Sequence, residues 1–150
     1  LLPTNLYGPG DHFDPESSHV IPGLIRKLVE AKKLKSPSIT CWGTGEATRD
    51  FLFVRDCAAG LVDAAERYDG ADPVNMGTGQ EVKIRDLVQM IADAVGWKGE
   101  IIWDATKPDG QPRRCLDSSR ARERFGWKAK TPLAEGLCAT VASYLERGSE

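Results

Sequence analysis

Short runs of β-favouring residues alternate along this chain with segments whose apolar residues recur every three to four positions. That alternation confines the chain to the α/β and α+β classes, in which helices cover a sheet of short strands. The sharpest signal begins at Ile84. Ile84, Leu87, Val88, Ile91, Ala92 and Val95 keep to one face of a helix, and Gly96 ends it. A second stripe of Ile21, Leu24, Ile25, Leu28 and Val29 predicts a helix from Val20 to about Leu34, with Ser17 or Ser18 as its cap and Pro22 in its first turn.

The remaining segments fill in the pattern. Ser38 to Trp42 is a β-rich run, broken by Gly43-Thr44-Gly45 and resumed at Asp50-Phe51-Leu52-Phe53-Val54, which suggests a hairpin. Asp56 to about Tyr68 reads as a helix, with Asp56 suited to its amino end. Pro73 to Gly77 and Glu100 to Asp104 read as strands. Ser118 or Ser119 can cap a short helix that runs to Phe125, and Pro132 can open a last one. The tally is four short strands and five helices. The turn-rich stretch before His19 is a long loop, and loops of that length are often functional.

The chain opens at Leu1-Leu2-Pro3 without a Met, like the end of a buried strand entered in mid-fold. The expectation is the carboxyl-terminal part of a longer protein. Its first residues would then be a strand orphaned from its parallel sheet, leaving an exposed apolar edge.

Composition removes several function classes. Twenty Lys and Arg stand against 22 Asp and Glu, so no basic field exists for sequence-independent nucleic-acid binding. No run of 18 apolar residues marks a membrane-spanning helix. Cys41, Cys57, Cys115 and Cys138 form no C-x-x-C pair, which argues for reduced thiols in a cytoplasmic protein and against a metal site.

Few residues stand out chemically. His19 sits where the long loop meets a helix start. It reads either as a capping or surface histidine or as a general acid or base, since imidazole titrates near neutral pH. Trp42 beside Gly43 reads as core or as a flat platform for a base or sugar ring. Arg49 lies between a Gly loop and an apolar strand. The loop from Lys107 to Arg114 reads as a solvated turn or as a nucleotide contact, with an arginine on the diphosphate and Asp109 on a hydroxyl. Gly8-Pro9-Gly10, Gly43-Thr44-Gly45 and Gly77-Thr78-Gly79 read as turns, because no full dinucleotide-binding fingerprint is present.

Taken in order, Pro3-Thr4-Asn5-Leu6-Tyr7-Gly8-Pro9, Ser18-His19-Val20-Ile21-Pro22, Trp42-Gly43-Thr44-Gly45 with Arg49-Asp50-Phe51-Leu52, Asn75-Met76-Gly77-Thr78-Gly79 and Lys107-Pro108-Asp109-Gly110 form a recognisable series. The series resembles the GDP-L-fucose synthases, a family of extended short-chain dehydrogenase/reductases, over nearly the whole chain. The resemblance implies the carboxyl-terminal nucleotide-sugar-binding part of a Rossmann-type α/β fold, built of mixed short strands and helices. Residues 1–150 would form that part, with residues 1–20 and some later segments at the edge of the cofactor domain.

The resemblance further implies an NADP-dependent enzyme that epimerises carbons 3 and 5 of GDP-4-keto-6-deoxy-D-mannose and reduces carbon 4. It implies that His19 is the acid and that Pro3, Thr4, Asn5, Leu6 and His19 line the cofactor. Lys27, Trp42, Arg49, Asp109 and Arg113 would hold the GDP-sugar. A homodimer is implied for the full-length protein, and inactivity for this chain alone. Phe53, Arg55 and Lys83 depart from the family pattern, and Lys83 weakens the cap before Ile84. The competing readings are a sibling nucleotide-sugar epimerase or dehydratase, or a non-catalytic binding piece.

Overall fold

In the computed structural model, residues 1–147 are described, and the last three positions of the 1–150 domain expectation lie outside them. Nine strands and five helices follow one another in the described residues. They are β1 (Leu2–Pro3), β2 (Asn5–Tyr7), α1 (Val20–Lys33), β3 (Ser38–Trp42), β4 (Thr48–Arg49), β5 (Phe51–Phe53), α2 (Val54–Arg67), β6 (Asn75–Met76), β7 (Val82–Lys83), α3 (Ile84–Val95), β8 (Glu100–Asp104), β9 (Arg113–Arg114), α4 (Ser119–Phe125) and α5 (Leu133–Arg147).

The five predicted helices are all present, whereas the strands differ in number and pairing. No hairpin joins β3 to β5. β3 pairs in parallel with β8, from Ser38↔Glu100 to Trp42↔Asp104, and β5 pairs in parallel with β2, from Asn5↔Phe51 to Tyr7↔Phe53. A Gly loop between two β-rich runs fits a hairpin locally, but parallel partners distant in sequence supply the ladder instead. The first strand is likewise not orphaned: Leu2 pairs with Asn75 and Pro3 with Met76. Leu1 and Leu2 remain exposed beside that pairing, as the expected apolar edge. β4 is antiparallel to β7 and parallel to β9.

Two cores organise the chain. The larger gathers α1, α3 and α5 over β3 and β8, with Ile25, Leu28, Leu87, Val88, Ile91 and Leu137 wholly buried. Each such aliphatic side chain contributes about 2 kcal/mol. The smaller joins α2 and α4 around Val74, Met76, Phe125 and Trp127. β5 lies between them. Phe51 and Phe53 face the larger core and Leu52 the smaller, so period-two alternation buries all three side chains.

Several expected caps are replaced. His19, not Ser17 or Ser18, occupies the cap position of α1, and its side chain makes no capping bond. Ser17 instead donates to Asp14 at 3.1 Å. α2 begins at Val54, and Asp56 in its first turn accepts from the Lys130 and Thr131 N–H groups at 2.8 and 2.7 Å. Asp56 therefore ties α2 to the chain entering α5. Ser118 precedes α4, but its hydroxyl accepts from Gly77 N–H at 2.7 Å, and Asp117 receives the Ser119 N–H at 2.9 Å. Lys83 stands at the cap position of α3 with no capping bond, and its ammonium pairs with Glu46 at 2.8 Å.

Candidate active site

The carboxyl end of β1, the start of β2 and the amino end of α1 converge on one cleft of about 620 Å³. Pro3, Thr4, Asn5, Leu6 and His19 all line it, so the structure brings the expected cofactor-lining residues together. The Thr4 N–H donates to the Met76 carbonyl at 2.8 Å, which fixes the segment against β6. The Thr4 hydroxyl and the Asn5 amide both donate to the Asp50 carbonyl, at 3.1 and 2.8 Å. Asp50 is itself wholly buried. Its carboxylate accepts from the Thr78 hydroxyl at 2.5 Å and from the Thr78 and Gly79 N–H groups at 3.1 and 3.3 Å. The Arg49-Asp50-Phe51 segment thus holds the cleft floor to the Gly77-Thr78-Gly79 turn. A Cβ at Gly77 would collide with the Asp50 carboxylate, which accounts for glycine there.

His19 is exposed at this cleft and also lines an adjoining groove of about 410 Å³. An exposed imidazole beside a cleft can give and regain a proton without first breaking a structural bond. Lys27, two helical turns along α1, shares the groove and donates to the Thr40 carbonyl at 2.6 Å.

Of the other expected substrate residues, Trp42 ends β3, Arg49 ends β4, Asp109 lies in the loop before β9 and Arg113 opens β9. Trp42 is 72% exposed, which rules out the core reading and leaves a ring face available. The Lys107 ammonium lies 5.9 Å from its centroid. Asp109 accepts from both the N–H and the hydroxyl of Thr44, at 2.6 and 2.7 Å. That pairing, the Thr44 hydroxyl first, holds the Asp109 carboxyl below its usual range. A Cβ at Gly43 would meet the same carboxylate, and Gly43 has φ of +79°. The Arg49 guanidinium donates to the Thr48 carbonyl at 2.7 Å.

Arg113 donates to Glu81 at 2.5 and 2.8 Å and lines a separate cavity beside Gly77 to Gly79, whereas Arg114 lines the His19 cleft. Successive strand residues point to opposite faces, so β9 cannot send both arginines to one site. Arg114, Phe51 and Asp11 are cleft residues that the sequence did not single out; Arg114 carried the only chemical signal, as one cation among several.

Cys41, Cys57 and Cys115 all have thiols pushed up by burial, which disfavours the nucleophilic thiolate. Among the described residues no group of three or more His, Cys, Asp or Glu could hold a metal ion. No helix among them is long and apolar enough to cross a membrane.

Comparison with known proteins places this geometry in context. The NAD dependent epimerase/dehydratase family model matches residues 1–77. The chain is 47% identical over 145 residues to the probable GDP-L-fucose synthase 1 of Oryza sativa subsp. japonica, covering 97% of this chain and 44% of that protein. It is 42% identical over 155 residues to the GDP-L-fucose synthase of Escherichia coli, covering 97% and 48%. A crystal structure of a GDP-L-fucose synthetase from Naegleria fowleri bound to NADP superposes with a TM-score of 0.89 at 30% identity, covering 98% of this chain and 46% of that one. The chain thus spans about half the length of the relatives it matches.

Proposed function

The chain belongs to the NAD-dependent epimerase/dehydratase family, and on that premise we propose that it is the nucleotide-sugar-binding part of an NADP-dependent GDP-L-fucose synthase. The observation that carries this reading is the exposed His19 imidazole at a cleft walled by Pro3 to Leu6. The identities to named GDP-L-fucose synthases support the choice among nucleotide-sugar enzymes.

The residues present suit a nicotinamide nucleotide and a sugar. The cleft is large enough for a ring and its ribose, its floor is set by backbone and short side chains, and Arg114 supplies positive charge. NADPH, when bound, supplies hydride to carbon 4 of the sugar. His19 returns a proton to the substrate carbon on the face opposite the one from which it was removed. The proton acceptor for carbons 3 and 5, and the donor to the carbon-4 oxygen, come in this reading from the rest of the full-length protein. Lys27 and Arg49 offset the diphosphate charge, and Trp42 stacks on the base or a sugar ring. Asp109 acts by fixing the Thr44 turn beside Trp42. Arg113 joins the substrate only by exchanging its Glu81 partner for phosphate. The full-length enzyme is a cytoplasmic homodimer in this reading, and the isolated chain is inactive.

The test is incubation of the full-length protein with GDP-4-keto-6-deoxy-D-mannose and NADPH. The expected result is loss of nicotinamide absorbance with formation of GDP-L-fucose. No turnover of this substrate, with turnover of another nucleotide sugar, would contradict the reading.

A further inference from the structure

Trp42 ends β3 with its side chain 72% exposed, and the Lys107 ammonium lies over its ring, 5.9 Å from the centroid. Among the described residues that ammonium pairs with no carboxylate. The carboxylates nearest to it in the chain are engaged elsewhere. Asp104 accepts from the hydroxyl of Thr106 and from its N–H at 3.1 Å, and Thr44 holds both oxygens of Asp109. The backbone under the pair is fixed as well. The Asp104 carbonyl accepts from the Gly43 N–H at 2.9 Å and from the Lys107 N–H at 3.1 Å, which ties the residue after Trp42 to the root of Lys107. The ring and the root are thereby set, and the flexible four-carbon stem of Lys107 is left to turn.

An ammonium over an exposed ring is worth about a two- to fivefold preference. A base stacked on such a ring is worth about tenfold or more. A base that reaches the covered face of Trp42 therefore displaces the ammonium. The displaced charge has a second cation for a neighbour. Gly110, three residues on in the same loop, runs so close to Arg49 that a Cβ there would lie 3.9 Å from the guanidinium Nη2. Arg49 also pairs with no carboxylate among the described residues, and its guanidinium donates to the Thr48 carbonyl. Two cations carried side by side without a carboxylate partner suit an anion between them.

We propose that Lys107 is a nucleotide-contacting residue that exchanges partners on binding: its ammonium cedes the Trp42 face to the base and pairs with the diphosphate beside Arg49. The proposal rests on the functional reading above, which puts a GDP-sugar at Trp42 and Arg49. It adds a second role for the ring face, which shelters the ammonium in the empty site and receives the base in the filled one.

The test uses the full-length protein, wild type and Lys107→Ala, titrated calorimetrically with GDP and, by displacement, with guanosine, which carries the base without phosphate. Lys107 is exposed, and thermal unfolding followed in parallel checks that the variant is folded. Guanosine is expected to bind the variant about two- to fivefold more tightly, because the ring face is free. The preference for GDP over guanosine is expected to fall about tenfold, because one charged partner of the diphosphate is gone. An unchanged preference for GDP would overturn the proposal, since Lys107 would then not meet the diphosphate. Guanosine affinity that stays the same or falls would also overturn it, since the ammonium and the base would then not share a face. Both of those results leave the functional reading standing, because wild type still binds GDP. Wild-type protein that binds neither GDP nor guanosine would defeat that reading, and the Lys107 contact with it.

Discussion

Thr44 donates both its backbone N–H and its hydroxyl to the Asp109 carboxylate, at 2.6 Å to Oδ1 and 2.7 Å to Oδ2. The two residues are 65 positions apart, and the bonds clamp the loop after β3 to the loop before β9. Asp109 therefore shapes the ground on which Trp42 stands. Thr44→Val, which removes only the hydroxyl donor, should weaken GDP-sugar binding severalfold and in the same direction as Asp109→Ala. The double variant should be little worse than Asp109→Ala alone, since both remove one clamp. Titration calorimetry on the full-length protein checks this. A Thr44→Val variant with native affinity would make Asp109 a direct ligand contact instead.

Acid should loosen the same region. The Thr44 hydroxyl and N–H hold the Asp109 carboxyl below its ordinary range. Lys83 does so for Glu46, and Arg113 and Thr48 do so for Glu81. Each group binds its proton less tightly folded than unfolded. Each therefore adds stability above the unfolded value of about 4, and loses it as pH falls through the lower folded value. All three are solvent-exposed, so each effect is small and salt-screened. Urea midpoints should be flat from about pH 7 to 5 and fall below about pH 4, less steeply in Asp109→Asn. A midpoint that rises on acidification through that window would contradict the assignment.

Trp42 offers a ring face at the surface and contributes little to the core. Trp42→Ala should lower GDP-sugar affinity about tenfold, the usual worth of one stacked base. Stability should change by less than about 0.5 kcal/mol. Calorimetric titration and a urea melt, run on the same preparation, separate the two quantities. A large loss of stability would place the ring in a packing role.

Asp50 links the cleft floor to the Gly77-Thr78-Gly79 turn. Asp50→Ala leaves the Thr78 hydroxyl and the Thr78 and Gly79 N–H groups without their acceptor, and should cost about 3 kcal/mol. The Asp50 carbonyl that receives Thr4 and Asn5 would shift with it, so NADPH binding should weaken as well. Chemical denaturation and fluorescence titration with NADPH measure both. Unchanged NADPH affinity in a destabilised variant would confine Asp50 to a structural role.

The helices were legible because each writes its buried face in its own residues: the stripe from Ile84 to Val95 and the stop at Gly96 appear as the sequence predicts. Pairing was not legible. β3 meets β8 about sixty residues onward, and nothing local distinguishes that parallel partner from a hairpin across Gly43-Thr44-Gly45. The unbroken apolar run Phe51-Leu52-Phe53 becomes intelligible only once two cores flank it. At the site, Pro3 to Leu6 and His19 line one cleft, a convergence that their separate positions in the chain do not display. Arg114 was visible only as one cation among several, because its significance is one of direction: it lies on the face of β9 that reaches the cleft. Asp109 was visible, but its Thr44 partner was not.

In the proposed reaction His19 delivers protons to the sugar. Full-length wild type and His19→Gln, turning over GDP-4-keto-6-deoxy-D-mannose with NADPH in deuterium oxide, test it most directly, with deuterium at carbons 3 and 5 read by mass spectrometry and NMR. Deuterium is expected at both carbons of wild-type product. For His19→Gln the expected result is a fall of about a hundredfold or more in epimerised product while NADPH still binds. Native rates of deuterium incorporation in His19→Gln would contradict it.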